Sequence, residues 1–356
     1  MDRPYLVNFS AIISENQLSI RASITDSKTS IQQTEKPLHS RPIQSLGLFS
    51  KESYRLKIVA LNAKNETIFK REYDSDSFGR FEIKANAKFQ GGQIEKLVAF
   101  ETSKINGLDL YLGSFLPLVI KNPKKIIISD FDKTLVDTRY STPKEMYYSL
   151  NKPLSYFPSV SKSIKLLNSY VEKGYQPFIL SASPHFYEDA IRDWFYANQI
   201  FISNLYLKDY RDFISIFDGK MTTKDLKKQG FYKLNQLVDI LLMTKIPENL
   251  VLIGDGFESD PFIYITLKQL LQKSADPWKI WNTIKHHNIF NLTSKKDSQF
   301  ITKFYLLNQM VKKYDPCDCQ IHIRATQKNI DYLKTQHFNI ESANQMNDEV
   351  NYYVSE

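Results

Sequence analysis

The sequence predicts two fold classes in tandem: a β-sandwich, followed by an α/β unit built on a parallel sheet. Before about residue 121, short alternating strands succeed one another at close spacing, and Lys121-Asn-Pro-Lys-Lys125 then reads as a linker. Beyond it, apolar runs alternate with amphipathic segments, the texture of strands and helices in a parallel sheet.

In the first region Tyr54–Leu61 alternates, Asn62–Asn65 marks a turn, and Glu66–Tyr73 is a second strand. Asp74–Gly79 is another turn, Arg80–Lys84 a third strand, and Gly91-Gly92 precedes a fourth at Ile94–Thr102. Leu108–Ile120 supplies one more, and the polar stretch Ser14–Arg41 reads as loop or irregular strand. Strands of this length and spacing predict an immunoglobulin-like sandwich.

In the second region Ile126–Ser129 is a buried apolar strand, and Ser161–Lys173 is a helix stopped by Gly174. Gln176–Leu180 is the next strand, and Phe186–Asn198 a helix with Glu188 and Asp189 at its dipole-favoured start. Ile200–Leu207 is a third strand, Tyr232–Thr244 a helix and Leu250–Ile253 a fourth strand. Beyond Leu271, residues such as Trp278, Trp281, Tyr305, Leu306 and Met310 predict helices packed on the core.

Composition narrows the class. With 42% hydrophobic residues, 23 phenylalanines and 21 tyrosines, the 356-residue chain can build real cores, which argues against disorder. The net charge of +8 is spread along the chain, so it suits an acidic membrane face, a nucleic acid or a phosphorylated metabolite alike. Cys317 and Cys319, with His322 nearby, fall short of a four-ligand zinc set and read as ordinary thiols. The start of the chain lacks the basic and apolar pattern of a signal peptide, and no segment has the apolar length to span a bilayer. The expected location is cytoplasmic, with peripheral membrane contact left open.

The chemistry gathers at strand ends. Asp130 and Asp132 follow the first core strand, one residue apart, where side-chain alternation can point both the same way. One carboxylate can attack while the other handles a proton; the plainer reading is an Asx turn capping a helix. Ser181 and Ser183 follow the second strand, where hydroxyls and amides can hold phosphoryl oxygens or simply start a helix. Asp255 and Asp260 follow the fourth strand behind Gly254, and Lys233 opens the preceding helix. So many carboxylates need a cation, and hard oxygen donors favour Mg²⁺.

These residues resemble the haloacid-dehalogenase-like phosphatases. Asp130-Phe-Asp132-Lys-Thr-Leu135 matches the first motif, Ser181 the second, Lys233 the third, and Asp255 with Asp260 the fourth. A closer resemblance is to the phosphatidate phosphatase App1-like catalytic domain, over roughly residues 124–270. It rests on Ser181–Pro184, Phe157-Pro158-Ser-Val, Tyr232-Lys233-Leu and Leu252–Tyr264. Four features depart from that family: Gly256 and Phe257 stand for Ser-Gly, Phe262 for Glu, and Lys133 for an acid.

The resemblance implies a Rossmann-like parallel-sheet phosphatase core without a large cap, preceded by the β-sandwich. The expected units are 1–121, the sandwich; 122–275, the catalytic domain; and 276–356, a helical extension. It further implies hydrolysis of a phosphomonoester, phosphatidate or a related phospholipid, through an aspartyl-phosphate. Asp130 would be the nucleophile and Asp132 the proton carrier. Ser181, Ser183 and Lys233 would bind the phosphoryl group, and Asp130, Asp132, Asp255 and Asp260 would hold Mg²⁺. The 49 positions from Asp132 to Ser181 leave little room for a large cap, so an open site favours a bulky or surface-bound substrate. Tyr140, Tyr147, Tyr148, Tyr156 and Phe157 are candidates to touch such a surface, or to pack on the core. The alternatives are a soluble phosphatase for nucleic-acid ends or phosphoproteins, with nucleic acid the less favoured partner, and a scaffold with a decayed core.

Overall fold

The computed structural model describes residues 3–27, 41–42, 52–88, 92–138, 149, 151–209, 230–290, 294–335 and 347–354. Its N-terminal strands are β1 (Arg3–Ser14), β2 (Gln17–Ser27), β3 (Arg55–Leu61), β4 (Thr67–Asp74), β5 (Arg80–Asn86), β6 (Lys96–Glu101), β7 (Leu110–Phe115) and β8 (Leu118–Ile120). They form two four-stranded sheets, ordered β5-β2-β1-β8 and β4-β3-β6-β7. Alternate residues of both sheets meet in one core: Leu18, Ile20 and Ile24 from one, Leu56, Ile58, Leu97 and Ala99 from the other.

Two expectations change here. The polar stretch from Ser14 contains a regular strand, β2, because Leu18, Ile20, Ala22 and Ile24 alternate inward between polar neighbours. Leu108–Ile120 is two strands, with β7 in one sheet and β8 in the other.

The second unit contains β9 (Lys125–Ser129), α1 (Ser161–Glu172), β10 (Gln176–Pro184), α2 (Glu188–Ala197), β11 (Asn204–Lys208), α3 (Gly230–Thr244), β12 (Asn249–Asp255) and α4 (Asp260–Leu270). It continues through α5 (Pro277–Ile284), α6 (Ser294–Val311), β13 (Asp318–Arg324), α7 (Gln327–Thr335) and β14 (Asn351–Tyr353). Six parallel strands are ordered β11-β10-β9-β12-β13-β14, so the order reverses between β9 and β12. Ligand crevices of open parallel sheets lie at the carboxyl ends beside such a reversal.

Alternation assigns the faces. Ile126, Ile128, Phe178, Leu180, Leu250 and Leu252 pack with α3 and α4, whereas Ile127, Ile179, Leu205, Val251 and Ile253 pack with α1 and α2. The segment 276–356, expected to be helical, also supplies β13 and β14. The parallel sheet therefore runs past residue 276, because Cys319, Ile321 and Ile323 bury one side of β13 on the core.

The sandwich is joined to this unit. Ile12 and Ile120 enter the core that surrounds α3. Ser14 Oγ donates to the Thr244 carbonyl at 2.7 Å, Lys124 pairs with Glu15 at 2.8 Å, and Arg21 donates to Gln236 of α3. Asn8 reaches the segment after Ser183: its N–H donates to Glu188 at 3.0 Å, and its side chain lies 3.0 Å from His185 Nε2. No described helix is long and apolar enough to cross a membrane.

Candidate active site

Three of the parallel strands and two helices, α3 and α4, deliver the site. β9 ends at Ser129, so Asp130 starts the following loop, and its N–H donates to the Ile253 carbonyl of β12 at 2.8 Å. That bond ties the first acid to the strand that carries Asp255. Lys133 adopts φ of 58°, and its N–H donates to the Val136 carbonyl at 2.7 Å, so the loop doubles back directly after Asp132.

Asp130 is 2% exposed; Oδ1 lies 2.9 Å from Lys233 Nζ, and Oδ2 accepts from Thr134 Oγ1 at 3.0 Å. Lys233, 1% exposed in the first turn of α3, also donates to Asp260 Oδ1 at 2.5 Å. An ammonium buried between two carboxylates is the pairing that a low-dielectric interior demands. Asp260 opens α4, and its Oδ2 accepts the Asp255 N–H at 3.2 Å. Gly254 permits this approach: a Cβ there would stand 2.6 Å from Asp260 Oδ2.

Asp255 is fully buried and only half satisfied. Oδ1 accepts the N–H groups of Phe257 and Glu258 at 2.7 and 2.9 Å, while Oδ2 is buried with no hydrogen-bond partner among the described residues. Carboxylate oxygens of Asp130, Asp255 and Asp260 lie within 4.8 Å of one another.

Asp132 turns elsewhere. Its Oδ2 accepts the hydroxyls of Ser181 and Ser183 at 2.8 and 2.7 Å, and Oδ1 accepts Thr138 Oγ1 at 3.0 Å. β10 carries both serines, and alternation along it puts them on the same side. The structure thus brings together every residue singled out for the site, in two groups: Asp130, Lys233, Asp255 and Asp260; and Asp132, Ser181 and Ser183.

The charges are strained by burial. Desolvation pushes the Asp130 carboxyl well above its ordinary value; Lys233 opposes the shift, and Asp260, Asp255 and Asp132 add to it. Burial likewise raises Asp255 well above the usual range, with Asp260 and Glu258 reinforcing it, and Asp260 is raised by burial despite Lys233. Burial alone would lower Lys233, but Asp130 and Asp260 outweigh it and hold the ammonium on well above its ordinary value. Burial would raise Glu258, yet Lys233 and Lys133 carry it below its usual value. Perturbed, clustered groups of this kind are concentrated at functional sites.

Four further side chains contribute to the site beyond those singled out from the sequence. Thr134 and Thr138 support the two aspartates, and Glu258 pairs with Lys133 at 2.8 Å and lies 3.9 Å from Lys233. The fourth is Arg324, which donates to the Lys133 carbonyl. Thr134 and Glu258 stand inside the motifs and were legible there; Arg324 carries no local signal. Cys319 lies in the core and Cys317 is half-buried, and burial pushes both thiols up; the His322 ring meets Tyr170 Oη at 3.0 Å. Of the tyrosines proposed for a surface contact, Tyr156 is exposed, while Tyr140, Tyr147 and Tyr148 lie outside the described residues. So do residues 139–148 and 210–229.

Residues 125–276 match the family model described as phosphatidate phosphatase APP1, catalytic domain. No curated protein matches the chain. Among solved structures, a chain of the Pnkp1/Rnl/Hen1 complex aligns at 14% identity and a TM-score of 0.27, covering 43% of this chain and 48% of its own. A Bifidobacterium dentium β-glucuronidase aligns at 6% identity and a TM-score of 0.27, covering 92% and 45%. A β-glycosidase from Bacteroides vulgatus aligns at 10% identity and a TM-score of 0.22, covering 91% and 36%. The aligned portion is less than half of each of these chains, and likeness this low implies nothing about activity.

Proposed function

We propose that the protein is a Mg²⁺-dependent phosphatidate phosphatase acting through an aspartyl-phosphate, a reading supported by the match of residues 125–276 to the family model described as phosphatidate phosphatase APP1, catalytic domain. The reading makes the chain a phosphoric monoester hydrolase with a Rossmann-like, haloacid-dehalogenase-type core. One observation carries it: Lys233 Nζ sits 2.9 Å from Asp130 and 2.5 Å from Asp260 in a buried cluster, with Asp132 held separately by two serines. A turn cap needs no buried lysine and no second carboxylate pair.

The donor set fits a divalent cation. The orphaned Asp255 Oδ2 and the close oxygens of Asp130 and Asp260 form a hard, anionic cradle with more negative than positive charge. Asp130, Asp255 and Asp260 would hold Mg²⁺, with the main-chain carbonyl of Asp132 completing the protein's share. When bound, the ion would neutralise charge on the phosphoryl oxygens.

The protein's own groups divide the chemistry. Asp130 attacks phosphorus and the ester oxygen departs; Asp132 gives that oxygen a proton. Asp132 then takes a proton from the water that cleaves the aspartyl-phosphate. Ser181, Ser183 and Lys233 already aim their donors at carboxylates, so an entering phosphoryl group exchanges one set of anionic acceptors for another. A phospholipid substrate implies action at a membrane surface, reached peripherally from the cytoplasm.

A panel of phosphatidate in mixed micelles, 5′-phosphorylated DNA, a phosphopeptide and p-nitrophenyl phosphate tests this directly. Phosphate release that requires Mg²⁺ and is fastest on phosphatidate is expected. Preference for DNA or peptide would overturn the substrate, and silence on all four would overturn the enzyme.

A further inference from the structure

We propose that Arg324, in the C-terminal strand β13 and beyond the family-matched residues 125–276, is a positioning residue that locks the catalytic loop of Asp130 and Asp132 to the loop after Asp255. It deepens the phosphatase reading, since the loop it holds carries the nucleophile and the proton carrier.

Register places Arg324 beside the site. β13 pairs with β12 so that Arg324 stands opposite Asp255. Its side chain donates through Nη1 to the Lys133 carbonyl, one residue past Asp132, and the same nitrogen lies 3.4 Å from Asp137 Oδ1. Its main-chain carbonyl accepts the Gly256 N–H at 2.7 Å, and its guanidinium lies 5.7 Å from the Phe257 ring centroid. One residue therefore touches both loops, by its side chain and by its backbone.

The loop it grips needs an external hold. Lys133 is a non-glycine residue at φ 58°, a conformation that persists only where surroundings impose it. Inside the loop, Thr138 restrains the Asp132 carboxylate at 3.0 Å; outside it, Lys133 Nζ reaches Glu258 at 2.8 Å. Arg324 fixes the carbonyl between these two restraints. An arginine suits the position because its several planar donors can serve a carbonyl and a carboxylate while its face covers a ring. The packing is tight: a Cβ at Gly256 would stand 2.9 Å from Ala325 Cβ and 2.9 Å from Leu333. Asp137 is 40% exposed, so that ion pair is the weaker partner, and the carbonyl bond is the one that positions.

The test uses full-length protein with Arg324→Ala, Arg324→Met, which keeps an apolar stem, and Arg324→Lys, which keeps a donor. Amide hydrogen exchange reads the loop without requiring activity. Amides of 131–138 should exchange at least about tenfold faster in the Ala and Met variants, with β3 and β6 unchanged and the Lys variant intermediate. Turnover of phosphatidate should fall by about 10- to 100-fold with KM changed less than about threefold, and the Lys variant should recover part of it. Unchanged exchange in the Met variant, or faster exchange with undiminished turnover, would overturn the proposal. If the wild-type protein released no phosphate, the phosphatase reading would fall, and exchange would still judge the contact.

Discussion

The sandwich and the parallel sheet both bury a carboxylate, and they treat it in opposite ways. Glu101, fully buried at the end of β6, accepts N–H groups from Ser103 and Lys104 at 2.7 and 2.9 Å and the Ser103 hydroxyl at 2.5 Å. Asp255, equally buried at the end of β12, keeps one oxygen without a hydrogen-bond partner among the described residues and stands with two further acids. A satisfied buried acid serves a turn, whereas an unsatisfied one is a standing electrostatic cost. Such a cost is expected where binding or chemistry relieves it.

Breaking the charged cluster should show the largest effect. Lys233→Met leaves Asp130 and Asp260 buried without their cation, so a loss of about 3–5 kcal/mol is expected in urea unfolding, together with loss of turnover. Ile58→Ala, a cavity in the sandwich core, should cost about 2–5 kcal/mol of stability, with turnover of the folded protein at low temperature retained. Equal turnover losses in the two variants would erase the distinction between the regions.

The sign reverses at Asp255. Asp255→Asn can keep an oxygen for the Phe257 and Glu258 amides while its NH₂ replaces the orphaned oxygen facing two acids. In chelator it should be more stable than wild type by about 1–2 kcal/mol while losing Mg²⁺-dependent turnover, a stability–activity exchange. A lower Tm in chelator would contradict the strain assigned to the cluster.

The pH dependence is the mildest effect, and its sign is fixed. Asp130, Asp255 and Asp260 have folded values raised above the ordinary 3.8, so the folded state holds their protons longer than the unfolded chain does. Their contribution to stability is fully present below the ordinary carboxyl range and is lost as pH rises through the raised values. Lys233, also raised, contributes throughout that window and is lost only in strong alkali; Glu258, lowered, contributes above its ordinary value and is lost in acid. Chelated wild-type protein should thus lose stability as pH climbs from mildly acidic to neutral, and Asp255→Asn should flatten that slope. A slope of the opposite sign in chemical unfolding would refute it.

The contrast also explains what could be read from sequence. Ile126–Ile128 and Leu250–Ile253 are apolar runs whose strand identity is local, and the acids after them follow at fixed short spacing. Asp130, Asp132, Asp255 and Asp260 were therefore legible one strand at a time. β2 reads as polar because Ser19, Arg21 and Ser23, which face away from the sandwich core, alternate with the inward Leu18, Ile20 and Ala22. β13 and β14 were hidden in a segment dominated by helical texture, and their place depends on long-range parallel pairing with β12. Arg324 becomes visible only through that register, since about 190 positions separate it from the Lys133 carbonyl it binds.

The central claim is that Asp130 is a nucleophile, and Asp130→Asn tests it most directly. The variant keeps the shape of the side chain beside Lys233 and Thr134, so its melting profile should match or exceed that of wild type. Phosphate release from phosphatidate micelles in Mg²⁺ should fall by more than about a thousandfold, with no phosphoryl group trapped on the protein. A folded Asp130→Asn protein that still released phosphate at a sizeable fraction of the wild-type rate would contradict the account.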